Sequence, residues 1–375
     1  MTSPVFSDSE KQYYQRHLSL EAIGDVGQMR LKKASVLVVG AGGLGCPVLQ
    51  YLVAAGIGRI GIVDCDRVEI SNLQRQVLFF PEDIGELKAS VAQKRLSKYN
   101  PHVTIEAFAE RLSPRNAERI LNSFEIIVDG SDNFPTRYLV NDACVIMNKV
   151  LVHGSIFQFQ GQVSVFNFQN GPTYRCLFPE PPTKNFLPSC SEAGILGVLP
   201  GIIGSIQASE TIKLITGIGE ILSGKLLLYD TLSQETKIVK MEANFENRNI
   251  KELPEMNDSC SSQKKDIEGI NEINPQDLKE LMEKDQHLAV IDVRESWERE
   301  IDSIAPSFHI PLDEFSNPET LMIPTEVEKN SKIVLFCKAG VRSKLACEIL
   351  FSLGYSNLLN LKGGITRWNQ EFSRG

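Results

Sequence analysis

One stretch constrains this chain more than any other: V-L-V-V-G-A-G-G-L-G, from Val36 to Gly45. An apolar, β-branched run that breaks into glycines cannot continue as a strand. The G-x-G-x-x-G spacing of Gly40, Gly42 and Gly45 permits a tight turn, close approach of backbone N–H groups to a phosphate, and close packing of a helix on the strand. Gly43 lies inside the same loop. The spacing predicts a nucleotide site but fits NAD, FAD and ATP equally. Asp64 closes the next apolar strand, Arg59–Val63, at the separation where a carboxylate meets ribose hydroxyls.

Downstream, apolar periodicity alternates between strand and helix: Ser35–Val39, Leu44–Ala55, Arg59–Val63, Leu87–Tyr99, Val103–Phe108, a helix capped by Ser113 with Pro114 in its first turn, and Glu125–Asp129. This rhythm predicts an α/β fold with a Rossmann-like, doubly wound parallel sheet. A helical arm, Glu10–Gln28, precedes it. At 375 residues two domains are expected. A net charge of -8 and the lack of a basic stripe argue against nucleic acid. The first residues lack a cationic flank and apolar core, and no apolar run is long enough to span a membrane, so a cytoplasmic location without membrane attachment is expected. Eight scattered cysteines follow no disulfide-scaffold spacing.

The loops at the predicted strand ends carry the informative polar residues. Asn72, Arg75 and Lys88 follow Asp64, and the strand Glu125–Asp129 runs into D-G-S-D-N-F-P-T-R, placing Asp132 and Asn133 at the carboxyl edge of the sheet. A dinucleotide enzyme binds its single pyrophosphate mostly through backbone amides. Two cations and a spare carboxylate suit a triphosphate with magnesium better, because the metal needs hard oxygen ligands and a departing pyrophosphate needs neutralising charge.

G-A-G-G-L-G, Asp64, S-N-L-Q-R-Q at 71–76, Lys88, D-G-S-D-N at 129–133 and P-S-C-S-E-A-G-I-L-G-V-L-P-G at 188–201 resemble the MoeB/ThiF branch of ubiquitin-activating-type enzymes, from about Tyr13 to Met241. The resemblance implies that ATP and magnesium adenylylate the carboxyl-terminal glycine of a ubiquitin-fold sulfur carrier ending in diglycine. Gly40, Gly42, Gly43 and Gly45 would approach the nucleotide and Asp64 would hold ribose. Asn72, Arg75 and Lys88 would face phosphates, with Asp132 on the metal and Asn133 among the residues that bind the nucleotide. Arg16 would come from the partner subunit of a homodimer. Cys190, an accessible loop thiol by sequence, would accept the acyl group or a sulfur intermediate. Such enzymes commonly hold a structural zinc on two C-x-x-C pairs. Here G-P-T-Y-R-C leaves Cys176 alone, Thr173 stands at one ligand position, and no cysteine follows the strand Thr236–Met241. No zinc is therefore expected, with Cys176 an ordinary packed residue.

Residues 246–273, rich in Asn, Glu, Lys and Ser, read as a linker between an adenylylation domain at 1–245 and a second domain at 274–375. The second domain carries the strands Leu288–Val293 and Ile333–Phe336, with C-K-A-G-V-R-S leading into the helix Ser343–Leu353. A cysteine at a strand end, turning into a helix, sits in an anion-binding concavity. D-V-R-E-S-W-E, H-I-P-L, C-x-x-G-x-R and L-K-G-G-I-T-R-W resemble a rhodanese domain, a smaller α/β unit. The resemblance implies a persulfide on Cys337, with Arg342 and the loop amides around it, loaded by a sulfur donor such as a cysteine desulfurase. A phosphatase of related shape separates Cys and Arg by five residues, whereas only Lys338–Val341 intervene here, a cradle better suited to sulfur.

Together the halves resemble fused MoeB–rhodanese proteins of molybdopterin, thiamine or tRNA thiolation pathways, which implies adenylylation followed by thiocarboxylate formation. The alternatives are an NAD-dependent oxidoreductase, which has no need of Arg75, Lys88 and Asp132, and a non-catalytic scaffold that docks carriers.

Overall fold

The computed structural model describes residues 6–181, 194–253, 270–285, 288–316 and 321–372. The chain divides into two compact units, 1–257 and 258–375. No helix among the described residues is long and apolar enough to cross a membrane.

The first unit is built on an eight-stranded sheet in the order β3-β2-β1-β4-β5-β6-β7-β8. Its parallel part comprises β1 (Ser35–Val39), β2 (Arg59–Val63), β3 (Thr104–Phe108), β4 (Ile126–Asp129) and β5 (Val150–Phe157). The antiparallel strands β6 (Gln160–Phe166), β7 (Lys225–Asp230) and β8 (Thr236–Lys240) extend it. Strand β1 explains its own sequence. Val36 and Val38 enter one core cluster while Leu37 and Val39 enter the other, so an uninterrupted apolar run is what a strand covered on both faces requires. Because β2 and β4 flank β1, the chain reverses its winding there, and the crevice at the carboxyl ends of β1 and β4 is where ligands bind in open α/β sheets.

The second unit has five parallel strands in the order β11-β10-β12-β13-β9. These are β9 (Ile270–Ile273), β10 (Ala289–Asp292), β11 (Phe308–His309), β12 (Ile333–Phe336) and β13 (Leu358–Leu361). Here too the pleat divides the core, with Ile333 and Leu335 in one cluster and Val334 and Phe336 in the other.

The linker bounds expected from composition need correction at both ends. Residues from Phe245 to Arg248 form a 3-10 turn tied to the first unit: Arg248 donates to Asn167 Oδ1 at 3.0 Å and to Gly171 O at 2.5 Å, and Asn247 Nδ2 donates to Arg175 O at 3.0 Å. At the other end, β9 already pairs with β13 from Ile270 onward. Polar composition marked these segments as unstructured, but their order comes from partners far away in sequence. The rest of the expected linker, 254–269, lies outside the described residues.

Candidate active site

At the end of β1 the chain turns through Gly40, whose φ of +92° lies in the left-handed region that glycine occupies without strain. A Cβ on Gly45, the first residue of the helix Gly45–Ala55, would stand 1.9 Å from Gly40 O, so helix and turn can approach this closely only without a side chain. Gly42 differs: a Cβ there would meet only Gln76 Nε2, at 3.7 Å, leaving its backbone face open. Asp64 spans the crevice, accepting from Ala41 N at 2.7 Å and from Asp66 N at 2.8 Å. Burial pushes its carboxyl above the usual range, against the pull of these amides. Each oxygen accepts one amide and keeps capacity for a ligand hydroxyl.

Two segments distant in sequence, 71–76 and 194–200, meet on this loop. Asn72 is buried and accepts from Glu69 N at 3.2 Å, closing the 3-10 turn Ile70–Asn72. Arg75 donates to Ser71 O at 2.9 Å, and a Cβ on Gly43 would lie 3.8 Å from its Cδ and 3.1 Å from Pro200 Cβ. Gly197 packs so closely on Gln74 that a Cβ would fall 2.3 Å from Gln74 Oε1. Thus 71–76, the glycine loop and 194–200 form one wall. Lys88, buried at the start of the helix Lys88–Tyr99, reaches Asp66 Oδ2 at 3.2 Å, a partner the sequence reading did not name. Gln76 was also missed as a single residue, although it stood in the quoted S-N-L-Q-R-Q. It is buried beside Gly42, and its Oε1 has no hydrogen-bond partner among the described residues.

The D-G-S-D-N loop leaves β4 across from Gly40, where a Cβ would lie 2.9 Å from Gly130 O. Asp132 and Asn133 are exposed at its tip. Asn133 accepts from Thr136 N at 3.0 Å and so caps the helix Phe134–Ile146. Beneath the tip lies a group that the sequence did not reveal. Asp129, fully buried, accepts from Ser131 N at 3.0 Å and pairs with buried His153 Nδ1 at 3.0 Å, while Gln207 Nε2 donates to Asp129 O at 2.8 Å. Burial holds His153 below its ordinary value, hence neutral; burial alone would raise Asp129, but His153 and Ser131 hold it low, hence ionised. A neutral imidazole donating through Nδ1 to a carboxylate satisfies both directions.

Arg16 is exposed on the short helix Gln15–Leu18. Cys190 lies outside the described residues. Cys176 departs from the expectation of ordinary packing. It is only partly buried, and its sulfur accepts from Thr173 N at 3.3 Å, Asn244 N at 3.3 Å and Asn247 Nδ2 at 3.8 Å, with Thr173 Oγ1 at 3.4 Å. Burial alone would raise this thiol, yet these donors hold it below its ordinary value. T-x-x-C and N-x-x-N thus converge on one sulfur. Among the described residues no group of three or more His, Cys, Asp or Glu could hold a metal ion.

In the second unit Cys337 is buried at the end of β12, and Gly340 N donates to its Sγ at 3.1 Å. The helix Val341–Ser352 begins just after Gly340, whose φ is +94°. Arg342 makes a two-pronged pair with Glu298, at 2.6 and 2.8 Å. Arg294, buried, binds Asp292 and Asp302. Ser343 Oγ, absent from the sequence-based candidates, lies 3.5 Å from Cys337 Sγ.

With this geometry in hand, residues 14–250 match the ThiF family and residues 274–371 the rhodanese-like domain. The "Probable adenylyltransferase/sulfurtransferase MoeZ" of Mycobacterium tuberculosis is 41% identical over 98% of this chain and 95% of its own length. The "Sulfur carrier protein adenylyltransferase" of Thermus thermophilus is 55% identical over 64% of this chain and 90% of its own. The "Adenylyltransferase and sulfurtransferase MOCS3" of Aedes aegypti is 37% identical over 96% and 87%. Among solved structures, E. coli MccB with ATP superimposes with a TM-score of 0.55 at 23% identity, covering 64% of this chain and 73% of that one, a likeness of fold.

Proposed function

The chain belongs to the ThiF family and carries a rhodanese-like domain behind it, and from this premise we propose that it adenylylates the carboxyl-terminal glycine of a ubiquitin-fold sulfur carrier and then converts it to a thiocarboxylate. It is an adenylyltransferase joined to a sulfurtransferase. The observation that supports the first activity is the convergence of the glycine loop, 71–76 and 194–200 at the carboxyl edge of β1 and β4.

The open face of Gly42 and the unpartnered Gln76 Oε1 fit a polar ligand at that edge. Asp64 receives the ribose hydroxyls, while Asn72, Arg75 and Lys88 meet phosphate oxygens, Arg16 of a second copy completing the charge. Asp132 would hold magnesium, which when bound would neutralise phosphate charge. An oxygen of the carrier carboxylate attacks the α-phosphorus of ATP. A new O–P bond forms, the bond to the bridging oxygen breaks, and pyrophosphate leaves. The carboxylate is already ionised, so no proton has to be removed. What the residues contribute is alignment and charge.

The terminal sulfur of a Cys337 persulfide then attacks the acyl carbon and AMP departs, leaving an acyl disulfide. A thiol that attacks Cys337 Sγ releases the thiocarboxylate and forms a disulfide with Cys337, and an external reducing dithiol, itself oxidised to a disulfide, returns that disulfide to two thiols. Cys190 is the candidate thiol on this chain, and a persulfide-bearing enzyme such as a cysteine desulfurase supplies the sulfur. The chain works in the cytoplasm as a homodimer without structural zinc. The hydrogen-bonded cluster on Cys176 takes the place of such a metal, so elemental analysis finding one zinc per chain would oppose that part of the reading.

Incubation with ATP, a loaded persulfide and a diglycine-ended carrier tests the whole reading. The carrier mass should show one oxygen replaced by sulfur, and carrier-dependent exchange of pyrophosphate into ATP should accompany it. A carrier that returns unmodified, with no exchange, would overturn the reading.

A further inference from the structure

We propose that Asn360 is the positioning residue of the sulfur-carrying loop, acting on Cys337 through Gly340 and Ser343. The inference rests on the reading that Cys337 carries the sulfur. Asn360 stands on β13, beside Leu335 of β12, and its primary amide is buried. Nδ2 donates to Gly340 O at 2.9 Å, which leaves Oδ1 to accept from Ser343 Oγ at 2.7 Å. Only one orientation of the amide satisfies both neighbours, because a carbonyl cannot donate.

Both groups gripped by Asn360 face the reacting sulfur. Gly340 N donates to Cys337 Sγ at 3.1 Å, and Ser343 Oγ lies 3.5 Å from the same atom. Gly340 sits at a φ of +94°, where a Cβ would press on Leu361 O at 3.0 Å, so a flexible residue occupies the position that must be most sharply aimed. Asn360 removes that freedom from the carbonyl side. The Ser343 hydroxyl has one proton and two acceptors, Asn360 Oδ1 and the sulfur. While the sulfur is a neutral thiol the proton rests on Asn360; when the sulfur is anionic the same rotor can turn it to Sγ. An apolar residue on β13 would fill the space equally well, so packing does not account for an amide whose four hydrogen-bonding positions are difficult to satisfy in a buried site.

The chemistry demands such aiming. A Cys337 thiolate attacks the outer sulfur of thiosulfate, an S–S bond forms, the bond to the sulfonate sulfur breaks, and sulfite leaves with the electron pair. Cyanide then removes the outer sulfur as thiocyanate and returns the thiolate. Negative charge is on the Cys337 sulfur when it attacks and returns to it when cyanide takes the outer sulfur; the Gly340 amide meets it without rearrangement and the Ser343 hydroxyl after a turn about its C–O bond.

The test is thiosulfate-to-cyanide sulfur transfer by the full chain. Asn360→Leu, close in volume and lacking both hydrogen bonds, should lower kcat about 10- to 100-fold with KM for thiosulfate within about twofold, the pattern of an interaction used in the transition state. Ser343→Ala should act in the same direction, Ser343→Thr should restore the rate, and the double variant Asn360→Leu/Ser343→Ala should fall no further than the worse single one. If Asn360→Leu loses its cooperative thermal transition, Asn360→Asp, which keeps the acceptor for Ser343 but turns an acceptor on Gly340 O, replaces it with the same expected loss. Cys337→Ala is measured beside them. If it retains transfer, the reading of Cys337 as carrier fails. If it is inactive while the Asn360 variants keep kcat within about twofold of the parent, the positioning role alone is overturned.

Discussion

Asp132 stands on the exposed loop after β4 and His153 pairs with Asp129 at the end of that strand, and they answer to different physics. Asp132 is exposed, so its removal costs the fold little, and its proposed role is electrostatic. Asp132→Ala should unfold at the parent temperature yet lose carrier-dependent pyrophosphate exchange by roughly two to three orders of magnitude. Near-parental exchange would remove it from the metal role. His153 is buried and held below its ordinary value of 6.5, so the folded chain refuses a proton that the unfolded chain accepts. Stability from this group is complete above about pH 6.5 and declines below it by up to about 1.4 kcal/mol per pH unit. Asp129, held below 3.8, extends the loss on further acidification, since its carboxylate must be protonated in the unfolded chain first. Denaturant titrations between pH 7 and 5 should show this slope, and His153→Gln should flatten it; an unchanged slope would assign the acid sensitivity to other groups. The exposed loop position of Asp132 was legible because a loop motif displays it. His153 was not, because burial and a partner in another strand create its role, and neither is written around position 153.

At the scale of elements, local patterning set most boundaries. Strands β1, β2 and β12 run over the residues expected from their apolar runs. The helix Leu199–Thr216 carries a proline in its first turn, where its missing N–H would have no partner. Its glycines serve packing: a Cβ on Gly204 would meet Pro47 Cγ at 2.5 Å and Leu44 O at 2.6 Å. The glycine loop yields a contrast between neighbouring positions. Gly45→Ala would drive a methyl against Gly40 O, 1.9 Å away in the undistorted backbone, and should destabilise the first unit by about 1–3 kcal/mol. Gly42→Ala has only Gln76 Nε2 at 3.7 Å and should keep its thermal midpoint while raising KM for ATP. Calorimetry and pyrophosphate exchange on both variants check this. Equal destabilisation would mean that the loop glycines serve the fold alone.

For the whole molecule, the tether is shorter than composition indicated, because residues to Leu253 and from Ile270 belong to the two units. If 254–269 acts only as a tether, deleting about half of it should reduce thiocarboxylate yield and leave pyrophosphate exchange unchanged, since effective concentration depends on linker reach. Equal loss of both would make that stretch part of the first unit. The sequence by itself determined the two α/β units, the glycine-lined crevice, and Cys337 at a strand end, because apolar periodicity and glycine spacing are local properties of the chain. Only the tertiary structure decided which groups aim them: Gln76 beside Gly42, Asp66 on Lys88, His153 on Asp129, Asn360 behind Gly340, and the donors gathered on Cys176. Each of these depends on burial and on partners in separate segments, and a buried polar group takes its direction from whichever neighbour the fold brings within hydrogen-bonding distance.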